Sequence, residues 1–339
     1  MRQVAITRHG GPECLAVVES EDPTAGPGEV RVRVRAAGVN FADVLARMGL
    51  YPDAPPLPFV PGYEIAGTVD QVGPEVSAVA VGDRVLAFTR FSGYADTAVI
   101  PAEQVVAIPA GKDFVDAAAL PVNFVTAYLM LEHLVAIHPG DRVLIHGAGG
   151  GVGLAALQLA KARGAVTFGT ASLAKHERLV AMGLDHAIDY RTCDFEAVIR
   201  ELTSGKGVDL VLDPNGGESA RKSYRSLAPM GRMLLFGLAS STGAGKRRNV
   251  ASAAKALVRT PIYHPIKLMN DNKGVIGVNV GHLWSEAEKV RNMLQDLVRR
   301  WGAGEFAPIV DSTFPLEDAA AAHDRLQERR NFGKTVLTV

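Results

Sequence analysis

The densest chemical signal in the chain is Ile145-His146-Gly147-Ala148-Gly149-Gly150-Gly151-Val152-Gly153. A short apolar run, Val143-Leu144-Ile145, leads into it, and Leu154 to Arg163 reads as a helix stopped by Gly164. Glycines between a strand and a helix let the backbone approach a pyrophosphate, and unpaired helix amides and the helix dipole favour that anion. The spacing departs from the strict form, because Ala148, Gly150 and Gly153 fill the G-x-G-x-x-G positions. Gly150, Gly151, Val152 and Gly153 are therefore the candidate phosphate-cradling residues. A structural turn competes for the loop taken alone; the strand–helix series after it favours a nucleotide.

The next strand decides which nucleotide. A site for NAD usually places Asp or Glu about 20 residues on, against the ribose 2′-hydroxyl. Here the stretch is Gly169-Thr170-Ala171-Ser172-Leu173-Ala174-Lys175, with no carboxylate before Glu177. A carboxylate would repel a 2′-phosphate, whereas Ser172 and Lys175 can bind one, so the pattern reads as NADPH. The plainer alternative for Lys175 is a solvated lysine at a helix start.

The elements that must hold these residues fall into two grammars. Residues 1–122 are β-rich: Val30, Val32 and Val34 alternate with Arg31, Arg33 and Arg35, and 67–73 and 83–88 read as further strands. Five prolines make 51–61 an irregular loop. From about 123, strands at 143–145, 166–169, 187–189, 208–212 and 232–236 alternate with helices at 154–163, 174–182, 195–202 and 219–227. That rhythm predicts a parallel sheet covered on both faces, with 275–280 as its last strand. Val290, Leu294, Leu297 and Trp301 lie at helical spacing within a helix over 285–300, and the alternation at 333–339 predicts a strand returning to the first domain.

Composition bounds the function. At 339 residues the chain exceeds the size of one hydrophobic core. Thirty-six basic residues balance 36 acidic ones, leaving no electrostatic footprint for nucleic acid. Two cysteines, Cys14 and Cys193, exclude a disulfide scaffold and any multi-cysteine metal cage. The amino terminus has no apolar signal region, and the most apolar stretch, 117–131, is interrupted and too short to span a bilayer. The expected location is cytoplasmic.

Several motifs carry a family resemblance over nearly the whole length: Ala37-Gly38-Val39-Asn40-Phe41-Ala42-Asp43, Pro61-Gly62-Tyr63-Glu64-Ile65-Ala66-Gly67, Val81-Gly82-Asp83-Arg84-Val85, Leu120-Pro121 to Thr126-Ala127-Tyr128, and the glycine loop. The sequence resembles the zinc-independent quinone oxidoreductase (zeta-crystallin-like) group of the medium-chain dehydrogenase/reductase superfamily. It is most similar there to the vesicle amine transport protein-like branch, through Asp213-Pro214-Asn215-Gly216-Gly217, Pro229-Met230-Gly231, Lys246-Arg247-Arg248-Asn249 and Asn331-Phe332-Gly333-Lys334. The resemblance implies an α/β chain: a GroES-like β-rich catalytic domain, 1–122 and 284–339, and a doubly wound Rossmann domain that binds NADPH, 123–283. It puts the active site in the cleft between them.

Zinc-bearing alcohol dehydrogenases of this superfamily have Cys in the first motif and His in the second, where this chain has Asn40 and Tyr63. No zinc is therefore expected, and an activated acceptor, a quinone or an α,β-unsaturated carbonyl, replaces a simple alcohol as the substrate. The resemblance implies catalytic roles for Asn40, an amide donor beside the nicotinamide, and Tyr51, a cleft phenol able to donate to a developing oxyanion. It implies cofactor contacts at Thr126, Phe236, Gly237 and Asn279, and at Tyr190 near the 2′-phosphate. Asn331, Gly333 and Lys334 are expected to close over the cofactor. The family tendency and the apolar strand at 275–280 point to a homodimer.

Residues 243–273 break the rhythm, with seven lysines and arginines against Asp271 alone. The plainer reading is a flap over the substrate cleft. The rival function is an NADPH-binding protein with little turnover that contacts lipid or a membrane partner through this segment.

Overall fold

Alternating valines and arginines make the strand Glu29–Val39 two-faced, and in the computed structural model it is central to the amino-terminal sheet. Val30, Val32 and Val34 enter the core, while Arg31 and Arg33 on the other face share Asp70 at 2.9 and 2.7 Å. The structure describes residues 1–239 and 258–339. These form two compact units, 1–125 with 281–339 and 126–239 with 258–280.

The first unit opens with an antiparallel pair, β1 (Arg2–Ile6) and β2 (Leu15–Glu19), which the sequence reading did not resolve. Then follow β3 (Glu29–Val39), helix α1 (Phe41–Arg47), β4 (Glu64–Val72), β5 (Arg84–Phe88), β6 (Thr97–Pro101) and β7 (Val105–Ala107). Loop 51–61 is irregular apart from one bridge between Ile6 and Phe59, as its prolines require. Helices α2 (Phe114–Ala118) and α3 (Pro121–Tyr128) carry the chain onward.

The second unit runs β8 (Arg142–His146), α4 (Gly151–Ala162), β9 (Val166–Ala171), α5 (His176–Ala181), β10 (His186–Asp189), α6 (Phe195–Leu202), β11 (Val208–Asp213), α7 (Gly217–Ser226) and β12 (Leu227–Leu235). A helix at Pro265–Asp271 then precedes β13 (Gly274–Gly277). Among the described residues the strands pair in parallel in the order β10-β9-β8-β11-β12-β13. That is the doubly wound order, which buries both faces around Leu144, Phe168, Ile188, Val211 and Met233.

Three boundaries correct the sequence reading. Helix α4 starts at Gly151 rather than Leu154, so the last glycines of the loop are its first turn. Strand β12 starts at Leu227, five residues earlier than 232; a register shift absorbs Pro229 to Gly231. Strand β13 stops at Gly277, because Val280–His282 winds into a 3₁₀ turn.

The chain then returns to the first unit. Helix Ala287–Gly302 buries Leu294, Leu297 and Trp301 and leaves Val290 half-buried. Strands β14 (Val310–Pro315) and β15 (Lys334–Thr338) follow, and β15 pairs in parallel with β14 and antiparallel to β3, Thr335 opposite Val39. The alternating tail thus completes the first sheet. No helix of the described residues is long and apolar enough to cross a membrane.

Candidate active site

In the second unit, the sequence-selected residues gather at the carboxyl ends of parallel strands, where ligands of doubly wound sheets bind. The glycine loop follows β8, and Gly150 caps α4 with no side-chain hydrogen bond. The amides of Gly151, Val152 and Gly153 therefore have no acceptor within the helix and suit an anion. A Cβ on Gly153 would stand 2.8 Å from the Ala148 backbone and nearer still to the Gly147 carbonyl, so only glycine lets the helix start this tightly. The loop is pinned from behind: Thr170 Oγ1 accepts from the Gly147 amide and bonds His146 Nδ1, whose Nε2 meets Ser223 Oγ at 2.9 Å. Ser223 in turn donates to buried Asp213.

Ser172 follows β9 directly and caps the 3₁₀ turn that contains Lys175. Asp189 pairs with Ala171, so the register sets Ser172 and Tyr190 on adjacent strand ends. Arg191 stacks its guanidinium 6.0 Å from the Tyr190 ring. The sequence reading missed Arg191; its only signal was a basic neighbour to Tyr190. No carboxylate ends β9, and this donor set suits a phosphate. Phe236 and Gly237 follow β12, Asn279 lies two residues past β13, and Thr126 is buried in α3.

In the first unit, Asn40 is the N-cap of α1, where Asp43 accepts from its backbone amide and closes a capping box. Its side chain is fully engaged. Nδ2 donates to Glu64 Oε1 at 2.9 Å, and Oδ1 accepts from Lys334 Nζ at 2.6 Å. Lys334 also forms an ion pair with Glu64, at 3% and 0% exposure, and Glu64 Oε2 accepts from the Val122 amide at 2.7 Å. Lys334 thus directs its ammonium to Asn40 and Glu64, and Asn40 presents a committed amide rather than an idle donor. Asn331 donates to the Gly333 carbonyl at 2.8 Å, shaping the turn into β15. Sequence separation hid the Glu64–Lys334 pair.

Beneath Asn40, Asp43 accepts from the Gly62 amide at 3.0 Å and from Tyr94 Oη at 3.1 Å, and His323 Nε2 lies 3.1 Å beyond Tyr94. Burial raises the Asp43 carboxyl to about 7 and depresses His323 to about 3. Tyr63 packs edge-on against Tyr51, ring centroids 6.1 Å apart, and burial, then the Asp43 charge, raise its phenol well above the ordinary range.

Tyr51 and Tyr63 line a cavity of about 370 Å³ within this unit, with Asp53, Arg90, Phe91, His282 and Trp284 among its other walls. Aromatic walls with a few polar tips suit a small planar ligand. The residues equivalent to zinc ligands do not fit a metal: they are an amide whose oxygen already accepts from an ammonium, and a phenol held protonated.

Of the basic segment, 243–257, including the Lys246 to Asn249 motif, lies outside the described residues. In the remainder, Lys267 pairs with Asp271 at 2.7 Å and Lys273 donates to the Tyr224 carbonyl.

Comparison with known proteins agrees with this architecture. Residues 26–110 match the alcohol dehydrogenase GroES-like domain family, and 182–337 match the family described as zinc-binding dehydrogenase. The chain is 40% identical to the synaptic vesicle membrane protein VAT-1 homolog of Danio rerio, over 99% of this chain and 70% of that protein. A mycobacterial protein solved as a complex with NADPH superposes with a TM-score of 0.88 at 32% identity, covering 100% of both chains. The CurK enoyl reductase superposes at 0.86 and 31%, covering 99% and 98%. The chain belongs to the medium-chain dehydrogenase/reductase superfamily, an oxidoreductase family, and within it to the VAT-1-like branch.

Proposed function

We propose that the protein is a zinc-independent reductase that uses NADPH to reduce a quinone or an α,β-unsaturated carbonyl. The observation that carries this reading is the aromatic cavity beside a phenol, Tyr51, in a chain whose zinc-ligand positions hold Asn40 and Tyr63. The enoyl reductase among its structural relatives supports an enone acceptor, and the NADPH complex supports the cofactor. Gly150 to Gly153 would hold the pyrophosphate, and Ser172, Lys175 and Arg191 the 2′-phosphate.

When bound, NADPH supplies a hydride from C4. An acceptor that takes it at the carbon β to its carbonyl gains one C–H bond, and its π electrons move onto oxygen. The Tyr51 hydroxyl donates to that oxygen, and a solvent proton completes the saturated carbonyl. Asn40, locked by Glu64 and Lys334, keeps its amide fixed without reorganisation. We place the enzyme in the cytoplasm as a homodimer, joined through β13, one of the two edges of its sheet among the described residues.

Loss of nicotinamide absorbance with a panel of quinones and enones tests the activity. Tyr51→Phe should lower kcat roughly 100-fold, in the range of a lost acid–base group. No turnover on any acceptor sinks the reading. Lys175→Ala should weaken NADPH far more than NADH, and equal loss for both removes the 2′-phosphate role.

One observation favours the second reading, contact with a membrane through 243–273. Val258, Ile262, Ile266 and Met269 are exposed, Ile262 to 98%, and the last two lie on the helix Pro265–Asp271 with Lys267. Salt-sensitive flotation with anionic liposomes, in a protein without turnover, would replace the first reading by this one.

A further inference from the structure

One basic side chain on the cavity wall has no acidic partner among the described residues. Asp53 is engaged by His282 Nε2 at 2.6 Å. Arg90, also on the wall, is exposed and forms no ion pair or hydrogen bond among the described residues. Several other arginines of this unit have carboxylates at hand: Arg31 and Arg33 take Asp70, Arg300 takes Glu305, and Arg325 takes Asp311. Arg90 lines a recess instead, between the Tyr63 and Phe91 rings and Trp284.

The backbone holds it there. Phe91 and Ser92, directly after Arg90, have φ of 67° and 61°, a left-handed pair without glycine. Such a conformation costs of the order of 1–3 kcal/mol for each residue and persists only where packing enforces it. Here Phe91 is clamped between Phe59 and Tyr63, ring centroids 5.6 and 5.1 Å away, and the Ser92 amide donates to the Val60 carbonyl at 2.8 Å. The strained turn therefore fixes where Arg90 leaves the backbone. A guanidinium beside aromatic walls recognises an oxyanion in two-point fashion while the planar part of the ligand stacks.

We propose that Arg90 selects acceptors that carry an anionic group, a carboxylate or a phosphate, remote from the carbonyl to be reduced. This rests on the reductase reading and names the substrate class of that cavity.

The test uses matched acceptors: a neutral alkenone, the same chain ending in a carboxylate, and the same chain ending in a phosphate monoester. The wild type should show a KM for at least one anionic acceptor about tenfold below that of the neutral one, as an added charged hydrogen bond implies. Arg90→Gln should erase that gap by raising KM for the anionic acceptor well beyond any rise for the neutral one, and Arg90→Lys should restore part of it. The carboxylate and phosphate arms identify the source of the charge. Equal KM values for all three acceptors, or an equal rise for all three in Arg90→Gln, overturn the proposal.

Binding is read separately, without cofactor, by quenching of Trp284 fluorescence with the saturated keto acid and keto phosphate, Trp284→Phe serving as the blank. Charge-dependent quenching that Arg90→Gln abolishes, in a protein that turns over no acceptor, keeps the anion site and removes the reductase reading. Turnover without charge preference does the reverse.

Discussion

The two units handle polar groups in opposite ways. In the first, Asn40, Glu64 and Lys334 bond one another in the interior, and Glu64 also accepts from the Val122 amide. In the second, the first amides of α4 have no acceptor within their helix, and the Ser172 side chain makes no capping bond. A saturated cluster sets geometry; an open one takes a ligand. Changes in the first unit should therefore appear chiefly as lost stability, and changes in the second chiefly as lost affinity.

The largest effect is expected at the buried ion pair. Lys334→Met strands the Glu64 carboxylate, and chemical denaturation should show a loss of about 3–5 kcal/mol. The double change Lys334→Met with Glu64→Gln should recover most of it. If the single variant loses nothing, the cluster is not what fixes Asn40.

Next comes Gly153→Ala, whose methyl group would press on the Ala148 backbone and displace the start of α4. NADPH should bind roughly ten- to a hundredfold more weakly, by the usual cost of a displaced contact, with a smaller loss of stability than Lys334→Met shows. A fall in stability with intact affinity would erase the contrast between the units.

The smallest effect is a slope. Burial raises Asp43 from 3.8 to about 7, so the folded chain binds more protons here than the unfolded chain across that interval. Stability from this group is greatest below pH 4 and falls as pH climbs through 7. Asp43→Asn should flatten the melting temperature against pH over that window, at the cost of lower overall stability from mismatched donors at Gly62 and Tyr94. An unchanged slope would mean that Asp43 is ionised throughout.

Much of the second unit was legible because its information is local. Helix α6 and β11 follow from apolar period and caps, and the glycine loop marks its own strand and helix. Register then brought Ser172 beside Tyr190 without any signal beyond the strand pattern. The first unit was legible in outline only. Its strands alternate, yet nothing near Asn40 announces that Lys334 supplies its partner, since that contact depends on β15 returning beside β3. The cavity was half legible: Tyr51 came from a motif, whereas Arg90, His282 and Trp284 converge from loops with no shared period.

That return of β15 has a consequence for how the protein is made. Among the described residues the first unit is encoded in two pieces, and the second lies between them. As the ribosome proceeds, every strand of the doubly wound sheet has been synthesised before β14 and β15 exist. The piece begun first is therefore closed last, and until residues 334–338 emerge, β3 carries an open edge and Glu64 has no counter-charge.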